Sequence, residues 1–321
     1  VKKKILIIRF NSIGDIVLTS PVSEALNAAG YEVHYLVKSL FASLLKSNPN
    51  ITKVWELKSD LNETIHELKK IEFFAVVDLH NNLRSSKVKR ALSIKSYTFK
   101  KPRIKYFLLT KFGMKFKPEP HIVNRFLYVI EPLIGKVENV NTSFYFDPVK
   151  SNFDFKVLPE NFMAIAVGAA FKTKMIPTHK LIQLIDESTL NVVLIGGPAD
   201  CERAHKIVSK TKRKIINLVG EISISDSAKV IQNCQMLVSG DTGMMHIGAA
   251  LNVPMVNVFG STHPILGYTP FYGNSENKSV IIQNPDLSCR PCTKQGSDAC
   301  PKGHFKCMNS ISVDEMLNVI Q

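Results

Sequence analysis

Several common signatures of nucleotide and metal sites are missing from this 321-residue chain. No Gly-x-Gly-x-x-Gly turn is present, which argues against a nicotinamide or flavin dinucleotide. No Walker A lysine motif and no Asp-x-Asp pair for a divalent cation occur either. No apolar run approaches the roughly 20 residues of a membrane-spanning helix. The opening Val1-Lys-Lys-Lys leads directly into a short strand-like run closed by Arg9, too brief for a signal peptide, so a cytoplasmic chain is expected. One stretch lacks acid altogether: residues 84–117 hold twelve Lys or Arg and no Asp or Glu.

That stretch carries most of the formal charge of +14. It is interleaved with Tyr97, Phe99, Tyr106, Phe107, Phe112 and Phe116. Clustered cations among aromatic and apolar neighbours suit a polyanion or an anionic membrane surface better than a plain solubilising face, which is served by mixed charge. Nucleic acid is the rival polyanion. No zinc finger or RNA-recognition signature supports it, so no nucleic-acid partner is expected.

Strand-like and helix-like segments alternate along both halves. Strands are predicted at 4–8, 32–36, 53–56 and 74–78, then at 162–167, 192–195, 236–238 and 255–258. Helices are predicted at 20–28, 41–47 and 62–69, then at 179–186, 200–210, 225–233 and 242–251. Helical character also extends over 16–26. Two βα-alternating halves imply two doubly wound α/β domains, 1–150 and 151–321, joined through an irregular linker at 139–159.

Two segments stand out. In Val238-Ser-Gly-Asp-Thr-Gly-Met-Met-His246, a buried strand passes through a tight turn into a helix. Gly240 and Gly243 allow the bend, and free N–H groups at the helix start suit a diphosphate. Asp241 or Thr242 can cap that helix instead. In Lys4–Ile8 followed by Asn11-Ser-Ile-Gly-Asp15, a β-branched strand leads to a turn at a sheet's carboxyl end, where open α/β sheets bind ligands. Asp15 is there either a helix cap or a catalytic base. Lys172 and Lys174 follow another strand in the same way, as phosphate contacts or as two exposed loop lysines.

Together these pieces resemble the heptosyltransferases of glycosyltransferase family 9. The resemblance rests on Ser12-Ile-Gly-Asp15 with Thr19-Ser-Pro21, Asp78-Leu-His-Asn-Asn-Leu-Arg-Ser85, Lys172-Thr-Lys-Met-Ile-Pro177, Ile195-Gly-Gly-Pro198 and Gly240-Asp-Thr-Gly-Met-Met-His246, in this order. It implies the GT-B architecture, two Rossmann-like doubly wound parallel-sheet domains facing across a cleft. The N-terminal one would bind the acceptor and the C-terminal one the nucleotide sugar. It further implies an inverting, metal-independent transfer of heptose from ADP-heptose to a phosphorylated lipid A–core oligosaccharide, peripheral to the inner membrane. Asp15 would be the base and Lys174 the leaving-group cation. Lys172, Thr173, Asp200, Gly240, Asp241, Thr242, Gly243 and His246 would serve the donor. Ser12, Gly14, His80, Asn81 and Arg84 would serve the acceptor. Where some relatives carry hydroxyl residues this chain has Ala169 and Ala170, which shifts the expected phosphate contacts to backbone N–H groups or Thr173. Other readings are a transferase with another nucleotide sugar or acceptor, and a non-enzymatic polyanion-binding protein.

Four of the six cysteines, Cys289, Cys292, Cys300 and Cys307, fall in one loop with His304. The spacing supplies enough ligands for a structural zinc ion, and packed reduced thiols are the other use. No cofactor is expected to be required for catalysis. Cys201 and Cys234 read as isolated, mostly buried residues.

Overall fold

The computed structural model describes residues 2–114, 116–146, 151 and 153–320. The first sheet holds β1 (Lys4–Ile8), β2 (Glu32–Lys38), β3 (Lys53–Leu57), β4 (Ala75–Asp78) and β5 (Ser96–Thr98). All are parallel, in the order β3-β2-β1-β4-β5. Ile5, Leu6, Ile7 and Ile8 are fully buried, as a strand covered on both faces requires. Leu6, Ile8, Leu36, Trp55, Leu68, Val76 and Val88 form the core on one side of it.

The second sheet holds β6 (Phe162–Ala166), β7 (Asn191–Ile195), β8 (Ile216–Asn217), β9 (Met236–Gly240), β10 (Met255–Phe259) and β11 (Ser279–Gln283). Its order is β11-β10-β9-β6-β7-β8, again parallel throughout. In each sheet the strand order reverses beside the first strand, between β1 and β4 and between β6 and β9. Such reversal points leave a crevice at the strands' carboxyl ends.

The chain divides into two compact units, residues 1–102 with 120–149, and 103–119 with 150–321. Segment 103–119, expected within the N-terminal domain, thus belongs with the second. Glu119 N–H donates to the Ile265 carbonyl at 3.1 Å, and the Lys294 ammonium lies 5.4 Å from the Tyr106 ring centre. Of the expected linker, 147–150 and 152 lie outside the described residues. The described remainder is irregular apart from the single turn Phe155–Val157.

The helix expected to run through 16–26 is two helices, Ile13–Val17 and Ser20–Ala28. Pro21 has no N–H for the Val17 carbonyl, so the first helix ends there. Hydroxyls take over its carbonyls: Thr19 Oγ1 donates to Ile16 O at 2.7 Å and Ser20 Oγ to Val17 O at 2.8 Å.

Candidate active site

In the first unit, candidate groups gather at the ends of β1 and β4, which pair through Ile8 and Asp78. Asp15 lies in the first turn of helix Ile13–Val17, whose N-cap is Ser12, so Asp15 is not a cap. Its carboxylate accepts from Ser12 Oγ at 3.1 Å and forms an ion pair with Arg9. Gly14 is buried beside it and Ser12 is exposed. Arg9 had no assigned role in the sequence. Its only signal there was a guanidinium at the end of a fully apolar strand, immediately before the turn.

Across the strand pair, the buried Asp78 carboxylate accepts from the N–H groups of His80 and Asn81, from Ser85 Oγ and from Lys89. This fixes the loop that presents His80 and Asn81, with Asn81 at φ 49° and its amide donating to Phe99 O. The His80 ring packs on Phe10, centroids 4.9 Å apart. Burial first, and then the Arg9 and Lys101 charges, push its pKa down to about 4. Arg84 stands exposed on the following helix, Leu83–Leu92, which Asn82 and Ser85 open with a reciprocal capping box.

In the second unit, the loop after β6 and the turn after β9 meet at the order reversal. Lys174 Nζ is 2.9 Å from Asp241 Oδ2, with both side chains largely buried. Gly240 makes this approach possible: a Cβ there would sit 2.3 Å from the Lys174 carbonyl oxygen. Helix Gly243–Ala250 begins at Thr242 with no side-chain cap bond, because Asp241 turns to Lys174 and the Thr242 hydroxyl pairs with Ser239 Oγ at 2.9 Å. The capping role expected of Asp241 or Thr242 is therefore not taken up. The first-turn N–H groups at Gly243 thus receive no side-chain cap. His246 is buried on the same helix.

Asp200 stands where β6 and β7 end, accepting the Gly197 N–H at 3.0 Å. Gly168 leaves room for it, since a Cβ there would lie 2.0 Å from Oδ2. Lys172 is exposed. Thr173 departs from expectation: it is buried, its hydroxyl donates to Ser297 O and accepts from Ser261 Oγ and Ser297 N–H. That hydroxyl is engaged in bracing the loop, as are the N–H groups of Thr173, Lys174 and Met175, which donate to the Ser297, Phe171 and Lys172 carbonyls.

The cysteine loop is ordered chiefly by Arg290, another residue without a sequence-based role. Its guanidinium donates to the carbonyls of Phe259, Gly260, Thr262 and Asn284 and to Gln283 Oε1. Cys289 Sγ is 3.9 Å from His304 Nε2, and the Cys292 thiol donates to Cys289 O at 3.0 Å. Burial, then the neighbouring thiols, push Cys292 up to about 11. Among the described residues no three His, Cys, Asp or Glu side chains converge as a ligand set. The expected zinc set Cys289, Cys292, Cys300 and Cys307 shares this loop, with all four cysteines free of disulfides. Cys234 is buried as expected, and Cys201 only partly so.

Two doubly wound parallel sheets, each with polar groups at its order reversal, are the architecture of GT-B glycosyltransferases. Residues 62–302 match the model of glycosyltransferase family 9 (heptosyltransferase), and the chain belongs to that family. It is 23% identical to lipooligosaccharide heptosyltransferase 2 of Campylobacter jejuni, over 95% of this chain and 93% of the relative. It is 24% identical to lipopolysaccharide heptosyltransferase 1 of Campylobacter coli, over 99% and 98%. Among solved structures, a family 9 glycosyl transferase of Veillonella parvula superposes with a TM-score of 0.76 at 20% identity, covering 99% and 96%. The E. coli ADP-heptose lps heptosyltransferase II gives 0.69 at 18%, covering 98% and 99%. An E. coli heptosyltransferase solved with ADP gives 0.67 at 19%, covering 99% and 100%.

Proposed function

We propose that this enzyme moves heptose from ADP-heptose to a hydroxyl of a phosphorylated lipid A–core oligosaccharide. The observation that carries the reading is Lys174 beside the uncapped start of helix Gly243–Ala250, held there by Asp241. A cation next to free N–H groups suits a departing diphosphate, and the likeness to an E. coli heptosyltransferase solved with ADP supports adenine as the base.

The acceptor hydroxyl oxygen attacks the anomeric carbon as the bond to the diphosphate oxygen breaks. ADP departs with that electron pair, and the hydroxyl proton passes to the Asp15 carboxylate. One direct displacement inverts the anomeric carbon. Lys174 and the helix N–H groups neutralise the growing diphosphate charge, so the reading calls on no metal. Arg84 suits bidentate contact with an acceptor phosphate. His80, neutral at pH 7, adds no charge to compete with it. A cytoplasmic enzyme peripheral to an anionic membrane accords with an acceptor anchored in lipid.

Calorimetric titration with ADP, UDP, GDP and NAD, without added metal, tests the donor. ADP preference weakened by Lys174→Ala supports the proposal. Preference for UDP or GDP keeps the transferase and replaces the sugar nucleotide. Failure to bind any nucleotide overturns it in favour of a polyanion-binding protein.

A further inference from the structure

Helix Arg103–Phe112 shows its apolar side to solvent. Ile104, Phe107 and Phe112 are 78%, 55% and 68% exposed, and Met114 just beyond is 47% exposed. Ile104, Phe107, Leu108 and Phe112 share one face at helical spacing with Lys111 among them, while Tyr106 on the opposite face is buried beneath Lys294. The helix is thus seated by its back and carries an apolar ridge in front. Phe107 and Phe112 reinforce that ridge edge to face, centroids 5.9 Å apart.

The described residues leave this ridge exposed, and exposed apolar side chains this closely grouped mark a contact surface. Its rim identifies the partner. Arg103 and Lys117 are exposed on either side of it in sequence, and Lys111 is exposed on the face itself. The nearest carboxylate in sequence, Glu119, is ion-paired with Lys105. An apolar ridge with cations on and beside it complements an anionic lipid surface, with the rings at the headgroup–acyl boundary and the cations on the phosphates. At about 15 Å the helix is too short to cross a bilayer and suits one lying in the interface.

We infer that helix Arg103–Phe112 inserts its Ile104–Phe107–Phe112 ridge into the surface of an anionic bilayer and so anchors the enzyme. The inference rests on the reading above, in which the acceptor is lipid-anchored, and it names the element that brings the enzyme to the acceptor. One bilayer contact of this size is weak and reversible, as an enzyme visiting many acceptor molecules requires.

Vesicle flotation of the full chain tests it, using phosphatidylcholine vesicles with and without phosphatidylglycerol. The wild type should float with the anionic vesicles only, and less so as salt rises. The double variant F107S/F112S should partition about tenfold less. Its ADP affinity and its transfer to a delipidated, soluble acceptor oligosaccharide should stay unchanged. Lys111→Gln should weaken flotation and reduce its salt dependence. No flotation by the wild type, or equal flotation by F107S/F112S, overturns the inference. So does a dimer in solution that the double variant dissolves without any effect on vesicles, because the ridge would then be a protein contact. Flotation is scored without nucleotide, so a failed ADP titration would count against the transferase reading alone.

Discussion

Arg9 reaches from the end of β1 to the carboxylate of Asp15 while its other nitrogens hold the backbone. Nε donates to Asn11 O and Nη1 to Leu79 O, both at 2.8 Å, and the guanidinium is almost wholly buried. One side chain thus ties the candidate base to the ends of two adjacent strands. Asp15→Asn should lower kcat by about two to four orders of magnitude with ADP affinity within about twofold. Arg9→Met should lower kcat about tenfold or more through misplacement of Asp15, with little change in the KM for sugar nucleotide. Arg9→Lys should recover part of that loss. Steady-state kinetics alongside ADP calorimetry checks all three.

The Lys174–Asp241 pair sets up a competition. An incoming diphosphate must draw Lys174 from a carboxylate 2.9 Å away. Lys174→Ala should weaken ADP binding about ten- to a hundredfold. Asp241→Asn should tighten ADP binding several-fold, since the ammonium no longer has to leave a charged partner. The second effect is opposite in sign to simple damage, and calorimetry with ADP alone separates the two.

Gly240→Ala should harm both stability and donor binding. Its Cβ would meet backbone, the Lys174 carbonyl at 2.3 Å, and a β-strand has little room to yield. A loss of about 1–3 kcal/mol in urea unfolding is expected. ADP affinity should fall as well, because the clash pushes on the residue that carries Lys174.

His80 makes stability depend on pH. In the folded protein its pKa is lowered to about 4, below the ordinary value of 6.5. Above pH 6.5 neither the folded nor the unfolded chain protonates it, and its contribution is fully present. As pH falls from 6.5 towards 4 the unfolded chain gains a proton that the folded one refuses, and stability declines. Between pH 7.5 and 5 the wild type should lose about 1 kcal/mol more than His80→Gln in urea unfolding, allowing for the ring's partial solvent access. Equal losses would remove His80 from the account.

The sequence was most legible where burial dictates composition. The run at β1 and the strands β6, β7, β9 and β10 are near-continuous apolar segments, and their positions follow from that alone. The glycine turn at 240–243 was legible because a helix starts straight after a buried strand. The three-residue β5 and two-residue β8 are too short to show any period. Helix Leu83–Leu92 reads as a solvated charge run because only Ser85 and Val88 on it are buried, and its start rests on a local capping box. Partnerships were less legible still. Lys174 and Asp241 were each singled out, but 67 residues separate them in sequence and only the meeting of β6 and β9 makes them a pair. Arg9 and Arg290 act by gathering carbonyls from distant segments, which no local pattern announces.

Segment 103–119 belongs with the second unit although first-unit chain precedes and follows it. The polypeptide therefore passes between the units three times. A fragment ending near residue 150 would keep helix Arg103–Phe112 but lose Ile265 and Lys294, which seat it. Tyr106 would then be exposed on the face opposite the ridge, and the fragment would tend to aggregate. During synthesis the same helix emerges long before its seat has been translated. Its apolar surface is in that interval open on both sides, and the enzyme's two halves cannot be produced apart by a single cut.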